Sequence, residues 1–406
     1  MRSTPEAAWP RVRLGEIGQS LIGLTYEPNN VKRSGTLVLR SSNIQDGRLA
    51  FDDNIFVDCW IPDRIRVREN DILICVRNGS RRLIGKSVLL DDRIVGQTFG
   101  AFMAVYRSQA NPFLQYFFQS SEFKRQIDAH LGATINQITN HSLNNFTVAL
   151  PSPAEQTAIT ERLGDIDSYI SSLARLVAKK QAIRRGMMQQ LLTGRIRLHG
   201  FTDPWVTTTL GALGTFLRGR GIKRDDVRGT GVRCMRYGEL YTAFGDYASD
   251  VRSFVSPAVA ATALPLRAGD LLFAASGETR EEIGKCVAYV GPTPAVVGGD
   301  VVVLRGDRFN PIFLALLANA PQVISQKARI GQGDAVVHIY KHSLSAIEVN
   351  LPPREEQDAI AQVAVDADRE TKVLSDRLTK AHSVKQGMMQ ELLTGRICLP
   401  VENMAA

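Results

Sequence analysis

The stretch MMQQLLTGRI at residues 187–196 recurs as MMQELLTGRI at residues 388–397, an offset of 201 residues. The same offset aligns LPSPAEQTAI (150–159) with LPPREEQDAI (351–360) without a gap. Between 151–198 and 352–399, 20 of 48 positions are identical, which chance does not produce. The chain therefore contains two copies of one unit, and this duplication organises the rest of the sequence.

Each repeated segment predicts one long helix. Apolar residues recur with 4-3 spacing from Ile159 to Leu191, although Lys180 and Arg184 fall on the same seam. Two readings fit this periodicity: a coiled-coil pair of the two helices, or one amphipathic helix packed on each domain core. The duplication favours the pair. Prolines stand where each helix can begin and a glycine where each can end: Pro151, Pro153, Pro352, Pro353, Gly194 and Gly395.

The segments between the repeats have mixed α/β patterns. Strands are predicted at ILICVR (72–77), KSVLL (86–90), DLLFAAS (270–276) and VVVLRG (301–306). Short helices are predicted after the Asn-Pro pairs in 111–127 and 310–326. The expected fold is α+β, with two mixed α/β domains and a pseudo-two-fold internal repeat. The expected domains are 1–150 and 199–351, with helical spacers at 151–198 and 352–406.

Composition narrows the function classes. No apolar run approaches the roughly 20 residues that cross a bilayer, and the N-terminal residues have no signal-peptide core, so we expect a cytoplasmic protein without a membrane partner. The five cysteines are scattered and predict neither a zinc site nor a disulfide framework. A net charge of +8 favours a polyanionic partner.

The ordered motifs resemble those of type I restriction-modification specificity subunits. Each variable segment closes with a Gly-x-x-[Ile/Val]-x-[Gln/His]-Ile turn, at 132–138 and 333–339. A His-Ser-Leu triplet, Leu-Pro and a Glu-Gln-x-Ala-Ile helix start follow, and each helix ends in Leu-Leu-Thr-Gly-Arg. No single motif is diagnostic, but the duplicated set is specific and spans essentially the whole chain.

The resemblance implies a non-catalytic subunit that reads double-stranded DNA. Each variable segment would be a target recognition domain for one half of a bipartite, gapped target. A pair of long antiparallel coiled-coil helices would separate the two domains, set the gap and dock two methyltransferase subunits, which recruit the restriction subunits. S-adenosylmethionine, ATP and Mg²⁺ are expected in those partners, and no cofactor or metal in this chain.

Polar, arginine-rich loops between the predicted strands are the candidates for DNA contact. Arginine pairs favourably with guanine, and Asn or Gln with adenine, in the major groove. With 18 Lys and Arg against 14 Asp and Glu, segment 1–150 carries +4, and segment 199–351, with 16 against 14, carries +2. Such mild charge suggests that the partners clamp much of the phosphate backbone. The candidates are Arg40, Asn43, Arg77, Asn78, Arg81, Arg82, Thr134, Asn136, Gln137, Arg220, Lys223, Arg224, Thr279 and Arg280.

Two alternatives belong to other function classes. A stand-alone DNA methyltransferase needs a cofactor loop and an Asn/Asp-Pro-Pro-aromatic motif; Asn111-Pro112-Phe113 is only a partial match, and we expect a helix N-cap there. Gly79 to Ser87 resembles a P-loop but has five residues between its glycines instead of four. His338 and His342 have metal-ligand spacing without a carboxylate cluster. The second alternative is a duplicated protein-interaction scaffold that does not bind DNA.

Overall fold

The computed structural model describes residues 9–131, 136–292, 294–333 and 336–400. The chain divides into two compact units. Unit 1 comprises Met1–Arg175 and Ser375–Ala406, and unit 2 comprises Leu176–Leu374. Both units mix helices with strands, as the sequence predicts.

Unit 1 is built on two sheets. In the antiparallel sheet, neighbouring strands are Gln19–Ile22, Met103–Arg107, Ile72–Cys75 and Ser87–Leu89. In the mixed sheet they are Thr98–Phe99, Thr36–Leu39, Phe56–Val57 and Val31–Lys32. Short pairs join Arg11–Arg13 to Thr147–Ala149 and Ile44–Gln45 to Arg48–Leu49. The shorter α-helices are Leu14–Ile17, Asn111–Phe118, Ser121–His130 and Asn140–Asn145.

Unit 2 repeats this plan. Neighbouring strands of its larger sheet are Thr215–Arg218, Val301–Arg305, Leu271–Ala274, Cys286–Tyr289 and Tyr247–Ala248. The mixed sheet runs Ser253–Val255, Val232–Met235, Ala295–Val297 and Leu264–Pro265. Short pairs join Val206–Thr209 to Glu348–Leu351 and Ser276–Gly277 to Val337–His338. The shorter α-helices are Leu210–Leu213, Tyr237–Thr242, Pro257–Thr262, Pro311–Ala318, Pro321–Ile330 and Lys341–Ser345.

A buried ion pair fixes the same sheet in both units. In unit 1, Arg107 Nη2 lies 2.6 Å from Asp71 Oδ2, and Asp71 is 1% exposed. In unit 2, Arg305 Nη2 lies 2.7 Å from Asp270 Oδ2, also 1% exposed. Because a buried carboxylate is costly unless it is paired, these matched pairs tie the equivalent strands in the same way.

The two long helices are Pro153–Leu191 and Arg354–Leu392. Their bounds differ by the repeat offset of 201 at both ends. In each unit the start of one long helix shares a core with the end of the other. Leu163 and Leu392 belong to one buried cluster in unit 1, and Leu191 and Ile360 belong to one buried cluster in unit 2.

Short helices follow both Asn-Pro pairs, as predicted, but one predicted cap is wrong. Asn310 is the N-cap of Pro311–Ala318, where its side chain accepts a hydrogen bond from Phe313 N at 3.0 Å. Asn111 instead lies inside its helix, and its Nδ2 donates to the carbonyls of Asn70 and Tyr106 at 2.7 and 2.9 Å. Asn111 is therefore a buried hydrogen-bond donor to two backbone carbonyls rather than a helix cap.

Candidate nucleic-acid interface

One group of candidates in unit 1 surrounds an exposed aromatic ring. The Arg77 guanidinium lies 5.0 Å from the centroid of the Phe102 ring, and Phe102 is 58% exposed. Arg77 and Gln137 form an isolated antiparallel bridge, which brings Gln137 beside the loop after Ile72–Cys75. Asn136 Nδ2 donates to Gly79 O at 3.3 Å. Arg77 therefore lies against an exposed ring, and the bridge and this hydrogen bond bring Gln137 and Asn136 beside the same loop.

A cleft of about 400 Å³ lies beside this ring. Its lining includes Arg40, Ser42, Asn78 and Phe102. Asn78 Nδ2 lies within 3.4 Å of Ser41 Oγ, so the two predicted polar loops meet at the cleft. The cleft presents arginine, amide and hydroxyl groups beside an apolar ring, which is the chemistry that reads base edges.

The remaining candidates of unit 1 have other environments. Asn43 is fully buried, and its Nδ2 donates to Ala50 O at 2.9 Å; it shapes the loop that carries Arg40. Arg81 Nη2 donates to Asp128 O at 3.3 Å and pairs with the Asp128 carboxylate at 3.6 Å, so it is anchored to the helix Ser121–His130. Arg82 is exposed, and Thr134 lies outside the described residues.

The unit 2 candidates form an exposed basic loop and a second, separate loop. Arg220, Lys223 and Arg224 are all exposed, and Lys223 N donates to Asp226 Oδ2 at 2.7 Å to close the turn. Thr279 Oγ1 accepts from Glu282 N at 3.3 Å, so its hydroxyl also supports a turn. Arg280 is exposed beside it.

The structure adds polar and aromatic groups of unit 2 that the sequence did not indicate as candidates for DNA contact. Ser276 Oγ lies 3.0 Å from His338 Nδ1, at the position equivalent to the bridge between Arg77 and Gln137. The Tyr340 and His342 rings stack at 5.9 Å, with Tyr340 47% exposed. Within the described ranges, no group of three or more metal-ligating side chains lies together.

Ion pairs explain the basic residues on the helix seam. In unit 2, Lys180 Nζ lies 2.7 Å from Glu370 Oε1, and Arg184 Nη2 lies 2.9 Å from Asp368 Oδ2. The nearby acids Asp368 and Asp246 raise the pKa of Arg184 despite its burial, so the guanidinium stays charged. In unit 1 the equivalent contact joins Lys385 Nζ to Asp167 Oδ1 at 2.7 Å.

The turn that opens each long helix also has a matched function. Gln156 Nε2 donates to Pro151 O at 2.9 Å, and Gln357 Nε2 donates to Pro352 O at the same distance. These bonds explain why a glutamine follows the prolines at the start of each long helix. None of the described helices is long and apolar enough to span a membrane.

A family model and curated relatives match this chain. Residues 7–183 match the family model described as the type I restriction modification DNA specificity domain. The type I restriction enzyme StySPI specificity subunit of Salmonella potsdam is 23% identical over 423 residues, covering 96% of this chain and 89% of the relative. The MjaVIII specificity subunit of Methanocaldococcus jannaschii is 23% identical over 358 residues, covering 82% and 80%.

A solved structure from work on the assembly and conformational transition of the type I R-M system has the same fold. Its TM-score is 0.59 at 20% identity, and the match covers 98% of this chain and 100% of that one.

Proposed function

We infer that this chain is the DNA specificity subunit of a type I restriction-modification system. The similarity to a type I specificity subunit over 96% of the chain is the observation that carries the inference. The duplicated ion pairs, helix starts and sheets agree with it, because a bipartite target requires two readers of one design. The chain recognises DNA, while methylation and ATP-dependent cleavage belong to its partner subunits.

Each variable segment, 1–150 and 199–351, reads one half of the target. In the first, the cleft beside Phe102 supplies Arg40 and Asn78, Arg77 lies against the Phe102 ring, and Gln137 is bridged to Arg77. In the second, Arg220, Lys223 and Arg224 are the exposed basic groups. Arg81, Arg82, Thr134, Asn136, Thr279 and Arg280 remain candidates, and Asn43 acts by holding the loop of Arg40.

The long helices pair as an antiparallel coiled coil and set the gap between the half-sites. The ion pairs described within each unit support this pairing, since each joins the later part of one helix to the earlier part of the other. Helix surfaces outside the seam dock two methyltransferase subunits, and these recruit the restriction subunits. S-adenosylmethionine, ATP and Mg²⁺ are bound by those partners.

Sequencing of methylated bases in the host tests the function. Cells with the intact gene are expected to methylate a bipartite motif with an unspecified gap, and deletion of the gene abolishes that methylation. Deletion of the partner methyltransferase gene is the matched control and removes the same motif. Unchanged methylation without this chain would contradict the proposal.

A further inference from the structure

Arg40 occupies an unusual position at the cleft of unit 1. It follows the strand Thr36–Leu39, and its backbone N–H donates to Asn43 Oδ1 at 2.9 Å. Its Nη2 lies 2.8 Å from Asp53 Oδ2, and its side chain is 35% exposed. Among the described residues, its Nε finds no hydrogen-bond partner although the atom is buried, and the same holds for Ser42 Oγ on the same cleft.

Unit 2 holds the same arrangement at Arg236, a residue the sequence reading did not select. Arg236 follows the strand Val232–Met235, and its backbone N–H donates to Glu239 Oε2 at 3.0 Å. Its side chain is 34% exposed, almost the value of Arg40. Its Nε is also buried without a hydrogen bond from the described chain; Glu239 Oε2 lies 3.5 Å away, outside hydrogen-bond geometry.

The surrounding backbone confirms that the two positions are equivalent. Each preceding strand pairs in parallel with a later strand, Thr98–Phe99 in unit 1 and Ala295–Val297 in unit 2. The carbonyl just before each arginine accepts a hydrogen bond from a glycine: Gly100 N to Leu39 O at 2.9 Å and Gly298 N to Met235 O at 3.1 Å.

Each arginine side chain is about one-third exposed at the end of an equivalent strand, so its outer N–H groups can donate to a ligand that approaches this edge of the unit. The carboxylate beside each guanidinium cancels much of its charge, which weakens attraction to a phosphate. Asp53 holds the Arg40 guanidinium in one orientation, and Ser253 Oγ accepts a hydrogen bond from Arg236 Nη2 at 3.5 Å. A fixed guanidinium suits directional hydrogen bonds to an uncharged acceptor.

We propose that Arg40 and Arg236 are equivalent base-contacting residues, one for each half of the DNA target, and that each donates to a guanine edge in the major groove. The inference rests on the proposed function and narrows it to two residues. Guanine presents two acceptors, O6 and N7, that match an arginine fork. A phosphate contact is the competing outcome of the test.

The experiment uses the full chain assembled with its methyltransferase partners. Methylated bases are sequenced in cells that express Arg40→Ala, Arg236→Ala, or the controls Arg11→Ala and Arg354→Ala, which remove an arginine beside a carboxylate elsewhere. Arg40→Ala is expected to relax one position of one half-site, and Arg236→Ala one position of the other. The controls keep the wild-type motif.

Binding to duplexes that carry the wild-type motif or a single substitution at that position gives the magnitude. Discrimination is expected to fall about 10- to 100-fold, with an unchanged salt dependence. Equal weakening on all duplexes, a shallower salt dependence and rescue by Arg→Lys would establish a phosphate contact and overturn the inference, as would unchanged motifs.

The variants Arg40→Lys and Arg236→Lys keep the loop and the charge, so they test the base contact even if an alanine variant fails to fold. They are expected to lose discrimination because lysine lacks the arginine fork. A wild-type complex that methylates no gapped motif would instead reject the proposed function itself.

Discussion

Lys327 is a buried lysine in unit 2 whose replacement tests the packing of that unit. Its side chain is 1% exposed, and its Nζ donates to Gly284 O at 2.7 Å. Burial lowers the pKa of Lys327 to about 8 from its ordinary 10.5. In unit 1 the equivalent place beside Gly85 is taken by Ile127, so the same fold accepts an apolar side chain there. We predict that Lys327→Met stabilises unit 2.

The magnitude follows from the pKa shift. A shift of about 2.5 pH units corresponds to about 3 kcal/mol, because each unit is worth about 1.4 kcal/mol. Losing the hydrogen bond to Gly284 O costs about 1 kcal/mol, so the net gain at pH 7 is about 2 kcal/mol. Below pH 8 the amine is charged in both states, and the whole penalty is present. Between pH 8 and 10.5 only the unfolded state holds the proton, so wild-type stability rises and the advantage of the variant disappears.

Urea unfolding from pH 7 to pH 10.5 measures this difference. Trp205 belongs to unit 2, whereas Trp9 and Trp60 belong to unit 1, so a background with Trp9→Phe and Trp60→Phe makes indole fluorescence report on unit 2. Arg329→Met is the matched control, since Arg329 is an exposed cation on the same helix. A variant that is less stable than wild type at pH 7, or a difference that does not shrink as pH rises, would refute the reasoning.

Three further predictions follow from the paired architecture. Asp71→Asn should destabilise unit 1, and Asp270→Asn should destabilise unit 2, each by about 3 kcal/mol, because each leaves a largely buried arginine without its carboxylate. Hydrogen exchange resolved by unit measures both losses, and unequal or negligible losses would show that the two ion pairs are not equivalent. Four residues inserted after Lys180 lengthen a helix by at most about 6 Å, less than two base pairs at about 3.4 Å each; the unspecified gap should grow by one or two base pairs in methylome mapping, and an unchanged gap with full activity would show that the helices do not set it. The purified chain should neither transfer methyl groups nor hydrolyse ATP, and either activity in a pure sample would overturn its assignment as a recognition subunit.

The long helices and central strands could be predicted because their signals are local and repeated. The 201-residue offset aligned the two helices, flanking prolines and glycines indicated their ends, and apolar runs predicted the strands at Ile72–Cys75 and Leu271–Ala274. The polar interruptions Lys180 and Arg184 could not be explained from one helix alone. Their partners lie about 190 residues further along the chain, so only the tertiary structure reveals the ion pairs.

Loop residues were harder to assign because sequence alone does not show which way a polar side chain turns. Asn43 and Arg40 lie in one polar stretch, yet Asn43 is buried and Arg40 lines a cleft. The sequence did not indicate Arg236 as a candidate because its loop shares little else with the loop of Arg40. A usable signal existed: the offset of 196 that aligns Leu14 with Leu210 also carries Arg40 onto Arg236.

The central claim is that each variable segment reads its own half of the DNA target, and exchanging one segment tests it most directly. Residues 1–150 are replaced by the corresponding segment of a type I specificity subunit with a known, different target, and methylated bases are sequenced in cells that carry the partner methyltransferase. The account predicts that one half of the motif changes to that of the donor while the other half keeps its sequence. A motif altered in both halves, or in neither, would contradict it.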